Sequence, residues 1–265
     1  QAPPENLRAA DLRRDALLGA TVVVRPGEVI ENAVVLMKNG IIEAVGVGLD
    51  VPEGYRTHDH AGATIYAGLI DPAVMIEAPD ARRAIAGSAG AHWNAQITPQ
   101  LSMGAEPVLS SGSRENLRNL GFTVAQLIPK TGILRGSGTI IVLGENDDVV
   151  PLMQTSMMTA SLASSGWGNS GYPTSRMGAI ALLRETFADA AWHARATITY
   201  KSDPTNLEPP ARADALDHLV GVLLGEQKIL FDTDTELKSL RAARIAEEFH
   251  LDPVILGSGL EFRRL

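Results

Sequence analysis

The spacing His58-Asp59-His60 is the first pattern that could do chemistry, because alternate side chains on a strand share a face and paired imidazoles can grip a divalent cation. The residues around it are polar, and the pair reads as a solvated strand face. His92, His193, His218 and His250 are scattered, and no two of them have ligand spacing. Cysteine is absent, which removes disulfide frameworks, Cys-zinc sites and catalytic thiols together. No G-x-S-x-G elbow occurs, which argues against a serine hydrolase of the α/β type. Gly136-Ser137-Gly138 and Gly257-Ser258-Gly259 lack the lysine and the longer glycine pattern of phosphate loops, so each reads as a turn. Trp167 and Tyr172 sit in a Gly/Ser-rich stretch, either as anchors for a partner or as rings folded onto their own domain. Met153, Met157 and Met158 read as a helix face in the core. Two carboxylates, Asp71 after Ile65 to Ile70 and Asp232 after Lys228 to Phe231, close apolar runs expected to be strands.

The chain that must position these groups has 265 residues, with 23 Lys plus Arg against 31 Asp plus Glu and a net charge of −8. Apolar residues make up 45% and charged residues 20%, an ordinary globular composition, and the length suits one large domain or two modest ones. The negative excess would repel a phosphate backbone or an anionic leaflet, so no nucleic-acid partner is expected. No apolar stretch approaches the ~20 residues needed to span a bilayer, so no transmembrane segment is expected. The opening Gln1-Ala2-Pro3-Pro4-Glu5 reads as the mature end left by a removed secretory signal, and a periplasmic or secreted location follows as an expectation.

Residues 1–16 read as a flexible arm and 17–65 as a small antiparallel β-sandwich. Asn39-Gly40, between Val34-Val35-Leu36-Met37 and Ile41-Ile42-Glu43-Ala44-Val45, predicts a type I′ hairpin. Thr21 to Val24 predicts an earlier strand, closed by a turn at Arg25-Pro26-Gly27-Glu28. From residue 66 the pattern alternates helix and buried strand: Arg114 to Leu120, then Phe122 to Ile128. A long helix is predicted from Ser175 to Ala196 with Ile180, Leu183, Phe187 and Ala191 on its stripe. Leu216, Leu219, Val220, Leu223 and Leu224 predict another helix, closed by Gly225. Thr233 with Glu236 predicts a capping box for the helix to Phe249, between strands Lys228 to Phe231 and Val254 to Leu256. Residues 78–113 and 144–175 read as long loops with functional or partner contacts. The roughly 200 residues from 66 to 265 fall short of the ~250 of a typical eight-stranded barrel. An incomplete TIM-like (β/α)8 barrel after the sandwich is the expected α/β fold.

The pieces Gly19 to Val23, Gly27 to Asn32, Lys38 to Gly46 and Tyr66-Ala67-Gly68-Leu69-Ile70-Asp71 resemble, in that order, the amidohydrolase superfamily, especially its imidazolonepropionase-like branch. The resemblance continues through Gly121 to Thr123, Leu134 to Gly138, Tyr172 to Ile180 and Ala246 to Phe249. It implies a composite β-sandwich leading into a (β/α)8 barrel, and a hydrolase acting on carbon–nitrogen bonds other than peptide bonds. It also implies a His-x-His pair after Asp71, holding a metal that acidifies a bound water. Those two positions are Ala73 and Met75, and Asp232 stands about where a later metal-binding imidazole would be. No metal centre of the usual form and no cofactor is therefore expected. Asp71, Glu77 and Asp232 remain as the candidate catalytic residues, as acids, bases or strand-end carboxylates satisfied by backbone donors. Two functions follow as expectations: an amidohydrolase-like hydrolase of carbon–nitrogen bonds that lacks the usual metal site, active only if Asp71, Glu77 and Asp232 line a completed barrel mouth, or a non-catalytic accessory or structural subunit of an exported assembly. The partner expected in either case is the remainder of the barrel or another chain, covering exposed strand edges.

Overall fold

The structure is a computed structural model that describes residues 13–78, 85–105, 109–144, 151–163 and 171–264. The chain forms two compact units, Gln1–Gly68 and Leu69–Leu265. Trp167 lies outside the described residues.

The first unit is one five-stranded sheet of β1 (Arg14–Arg25), β2 (Glu28–Lys38), β3 (Ile41–Val47), β4 (Arg56–Asp59) and β5 (Thr64–Tyr66). The predicted hairpin between β2 and β3 is present, with Asn39 at φ 54° and Gly40 at φ 78°, the two positive values a type I′ turn needs. The sheet is mixed rather than antiparallel. β2 runs antiparallel to β1, but β4 and β5 both lie parallel to it, end to end along its other side. Gly19 stands between those two pairings at φ 78°, and a Cβ there would meet Ala61 Cα at 3.3 Å. One face buries Val22, Ala33 and Val35, with Leu17, Ile30, Met37, Val45 and Ile65 packed around them.

The second unit contains two four-stranded sheets. One is ordered β10-β9-β7-β6, from β6 (Leu69–Ile76), β7 (Phe122–Pro129), β9 (Thr139–Val142) and β10 (Pro151–Met153). The other is ordered β13-β12-β11-β8, from β8 (Leu134–Ser137), β11 (Met158–Ser161), β12 (Ile229–Asp232) and β13 (Pro253–Leu256). The βαβ pattern read from the sequence appears in β6 parallel to β7 and in the run β11, β12, β13. Antiparallel β8 and β9 interrupt it, and the described strands do not close into a cylinder. The result is a mixed α/β unit with several sheets.

Its helices are α1 (Ser111–Asn119), α2 (Arg176–Ser202), α3 (Asp214–Asp217), α4 (Val220–Leu223) and α5 (Glu236–Phe249). Side-chain caps begin three of them: Ser110 accepts from Ser113 N, Ser175 from Gly178 N and Thr235 from Lys238 N. The cap of α5 is thus Thr235 and not Thr233, whose buried hydroxyl is drawn to the Leu256 carbonyl at 3.1 Å and Ser239 Oγ at 2.8 Å. The buried side of α2 is Ala179, Leu182, Leu183, Thr186, Phe187, Ala190 and His193. It is rotated from the predicted stripe because small alanines let the helix approach closely, while Ile180 packs at the margin. Leu216 to Leu224 forms two single turns, α3 and α4, rather than one helix; Leu219 and Val222 are buried, and Leu224 is exposed.

Helices α2 to α5 and β11–β12 enclose the main core, where Phe187 and Phe231 are fully buried and each contributes roughly 2–3 kcal/mol. Met158 belongs to that core as a strand residue, and Met153 lies half exposed on β10, so no methionine helix face exists. Gly136 is likewise a strand residue. A Cβ there would sit 2.3 Å from the Leu101 carbonyl oxygen, at φ 102°.

Candidate functional site

The three candidate carboxylates do not converge. Asp71 sits in β6 at an irregularity in its pairing with β7, between Asp71 and Val74. Pro72 supplies no N–H to the ladder there, and Asp71 Oδ1 accepts the Ala73 N–H at 3.0 Å, which closes the bulge locally. Glu77, just past β6, is exposed, accepts from Thr131 Oγ1 at 3.3 Å and lies 3.8 Å from Lys130 Nζ. Asp232 ends β12 on the other sheet, in register with Ser161 of β11 and Leu256 of β13.

Asp232 is the candidate with the strongest local chemistry. Arg135 Nη2 donates to its Oδ2 at 2.8 Å, and the arginine side chain is 6% exposed against 24% for the aspartate. Arg135 reaches it from β8, the antiparallel neighbour of β11, and its Nε donates to the Gly132 carbonyl at 3.1 Å. The pairing fixes the side chain of Asp232 at the end of β12. Arg135 went unnoticed in the sequence; its only signal was a lone charge inside the otherwise small and apolar stretch Ile133 to Ile141.

The rest of that rim is also committed within the chain. Asp234 is paired with Lys238 Nζ at 2.6 Å, and that ammonium holds its carboxyl below the usual aspartate range. Glu261 Oε1 accepts the Ser258 N–H at 2.7 Å, which lowers its carboxyl in the same way. Gly257-Ser258-Gly259 is thereby the predicted turn, with Gly259 at φ 79°.

A zinc of the kind the resemblance implies does not fit this donor set. Ala73 and Met75 offer a methyl and a thioether, and a cation at Asp232 would meet a buried guanidinium first. Among the described residues no three His, Asp or Glu side chains are grouped to hold a metal ion. His58, on the earlier sheet, contacts Asp15 through Nε2 at 2.9 Å, while His60 lies just past the end of β4. Tyr172 stacks on Trp93, centroids 6.2 Å apart, and donates its hydroxyl to the Gly178 carbonyl. No helix of the described residues is long and apolar enough to cross a membrane.

No protein-family model matches the chain, and no curated protein matches it in sequence. Among solved structures, an amidohydrolase from Thermotoga maritima MSB8 is 18% identical and superposes with a TM-score of 0.71, over 91% of this chain and 63% of that one. A prolidase complexed with N-methylphosphonate-L-proline is 13% identical over 88% of this chain and 59% of that one; its TM-score of 0.36 is too low for any argument to rest on it. The chain therefore spans less than two thirds of the amidohydrolase it matches, and its fold is of the amidohydrolase type.

Proposed function

We propose that this chain is a degenerate amidohydrolase of the imidazolonepropionase-like branch, descended from hydrolases of carbon–nitrogen bonds but without their metal-water chemistry. One observation carries the reading: Asp232, standing about where a metal-binding imidazole is expected, is neutralised by buried Arg135 at 2.8 Å. Its Oδ2 is taken up by the guanidinium, and a metal ion there would be set beside a buried positive charge. Asp71 is committed to the Ala73 N–H, and Glu77 is exposed beside Lys130, so neither supplies a dry, poised acid or base.

Metal analysis and hydrolysis assays on cyclic amides and dipeptides test this reading. The expected result is no stoichiometric zinc, iron or manganese and no turnover. One metal per chain with turnover abolished by Asp232→Asn would overturn it.

A second reading, an accessory or structural subunit, is favoured by the sheet edges. Strands β6 and β13 each end a sheet, and Leu69, Ile70 and Met75 are exposed on β6. Strands from the remainder of the barrel or from a partner chain would cover them. Sedimentation of the 265-residue chain should then show self-association, and a monomer with cooperative unfolding would remove the need for a cover.

A further inference from the structure

The stretch from Ile85 to Ala105 contains a single ionisable side chain, His92, and the turn around it is tied to two other parts of the second unit. The Gly87 N–H donates to the His92 carbonyl at 2.9 Å, and the Gly90 carbonyl accepts the Ala215 N–H of α3 at 3.0 Å. Beyond the histidine, Asn94 Nδ2 donates to the Tyr172 carbonyl at 2.7 Å, just ahead of α2, and Asn94 Oδ1 accepts the Gln96 N–H at 2.9 Å. Trp93 and Tyr172, both about half exposed, stack beside this tie, and the Trp93 ring lies 5.3 Å from the His92 ring.

His92 itself is 8% exposed. Its Nδ1 accepts the Asn94 N–H at 3.0 Å, so the ring proton is on Nε2, which is buried without a hydrogen-bond partner. A second proton would turn Nδ1 into a donor aimed at another donor, and it would charge a buried ring. Burial accordingly holds the imidazole below the usual histidine range, while the exposed carboxylates of Glu185 and Asp189 on α2 act against it. Asp214, which α3 brings against Gly90, is already paired with Arg212 at 2.6 Å, and residues 171–175 bring no charged side chain. We propose that His92 is an acid-released latch: neutral, it closes the turn from Gly87 to Gln96 and seats Trp93 against Tyr172, and on taking up a proton it lets that turn open. Its contribution is complete above the ordinary histidine value of 6.5 and is lost as pH falls below it, by up to about tenfold in the closed-to-open ratio per pH unit. The latch shares no residue with Asp71, Glu77 or Asp232 and does not depend on whether the chain hydrolyses anything.

Hydrogen exchange of the full 15N-labelled chain at about pH 7.5 and about pH 5.5 tests it, each amide rate being referred to its unstructured rate at the same pH. Protection of the Asn94 amide should fall about five- to tenfold between the two. His92→Asn should keep that protection at both, because an asparagine Oδ1 accepts the same N–H two residues on and does not titrate. His92→Ala should lose it at both. If His92→Asn fails to fold, the tautomer of the unaltered chain serves instead: a long-range 1H–15N spectrum at the higher pH should place the ring proton on Nε2. Equal protection of Asn94 at both pH values, an acid loss that persists in His92→Asn, full protection in folded His92→Ala, or a ring proton on Nδ1 would overturn the latch.

Discussion

At the carboxyl ends of β12 and β13, Asp232, Asp234 and Glu261 are each claimed by Arg135, Lys238 or the Ser258 N–H. Near the amino ends of β11 and β12, only about four residues away along the same strands, neutral Gln126 and Ser156 are buried with a side-chain nitrogen and a hydroxyl oxygen unpaired. A charge paired inside the fold avoids the penalty of burial alone, whereas an unpaired buried polar atom costs stability outright.

Gly136 lies between the two ends in sequence, with Arg135 before it and Ser137, the acceptor for Gln227, after it. Gly136→Ala should be the most damaging substitution, at about 4 kcal/mol, because the new methyl meets a backbone carbonyl that cannot rotate away. Urea denaturation measures this loss, and a neutral result would mean that β8 is placed differently. Arg135→Ala comes next. It should cost about 3 kcal/mol, near the lower end for a broken buried pair because Asp232 is 24% exposed. Replacing both partners, Arg135→Met with Asp232→Leu, should restore most of that loss. A double variant no better than the single one would show that the pair is more than a balanced charge.

Gln126→Leu should act in the opposite direction, raising stability by about 1 kcal/mol because an unpaired buried amide gives way to an apolar group of similar size. A loss of stability there would erase the contrast between the ends. The smallest effect concerns acid. Asp234 and Glu261 are lowered from ordinary values of 3.8 and 4.5, so the unfolded chain takes up their protons first. Their contribution is complete above those values and disappears as pH falls through the lower folded ones. Asp234→Asn with Glu261→Gln should flatten the acid limb of a stability–pH curve below about 4.5 and lower its neutral plateau slightly, since the lost contribution is the one present there.

Legibility followed periodicity and turn chemistry. The Asn39-Gly40 hairpin, strand β7 and the β12–α5–β13 unit were readable because alternation, a helical stripe or a positive-φ pair announced each. β8, β9 and β11 were not: each has four residues, and β8 and β11 are buried throughout, so no period-two signal forms. Gly136 looked like a turn because glycine serves tight turns and close backbone approach equally well. Asp232 was visible as a strand-end carboxylate, but Arg135 is 97 residues away in sequence, and only the pairing of β8 with β11 brings it near.

The long strand β1 carries a further consequence. Three neighbours read its register, and at Gly19 a glycine alone fits against Ala61. Sliding it by a single step would drive Leu18 or Ala20 into that narrow gap and turn Val22 out to water. With no intermediate alignment to rest in, β1 can only stay shut or let go along its whole length. Its amides should therefore exchange their hydrogens with solvent in unison, at one common rate.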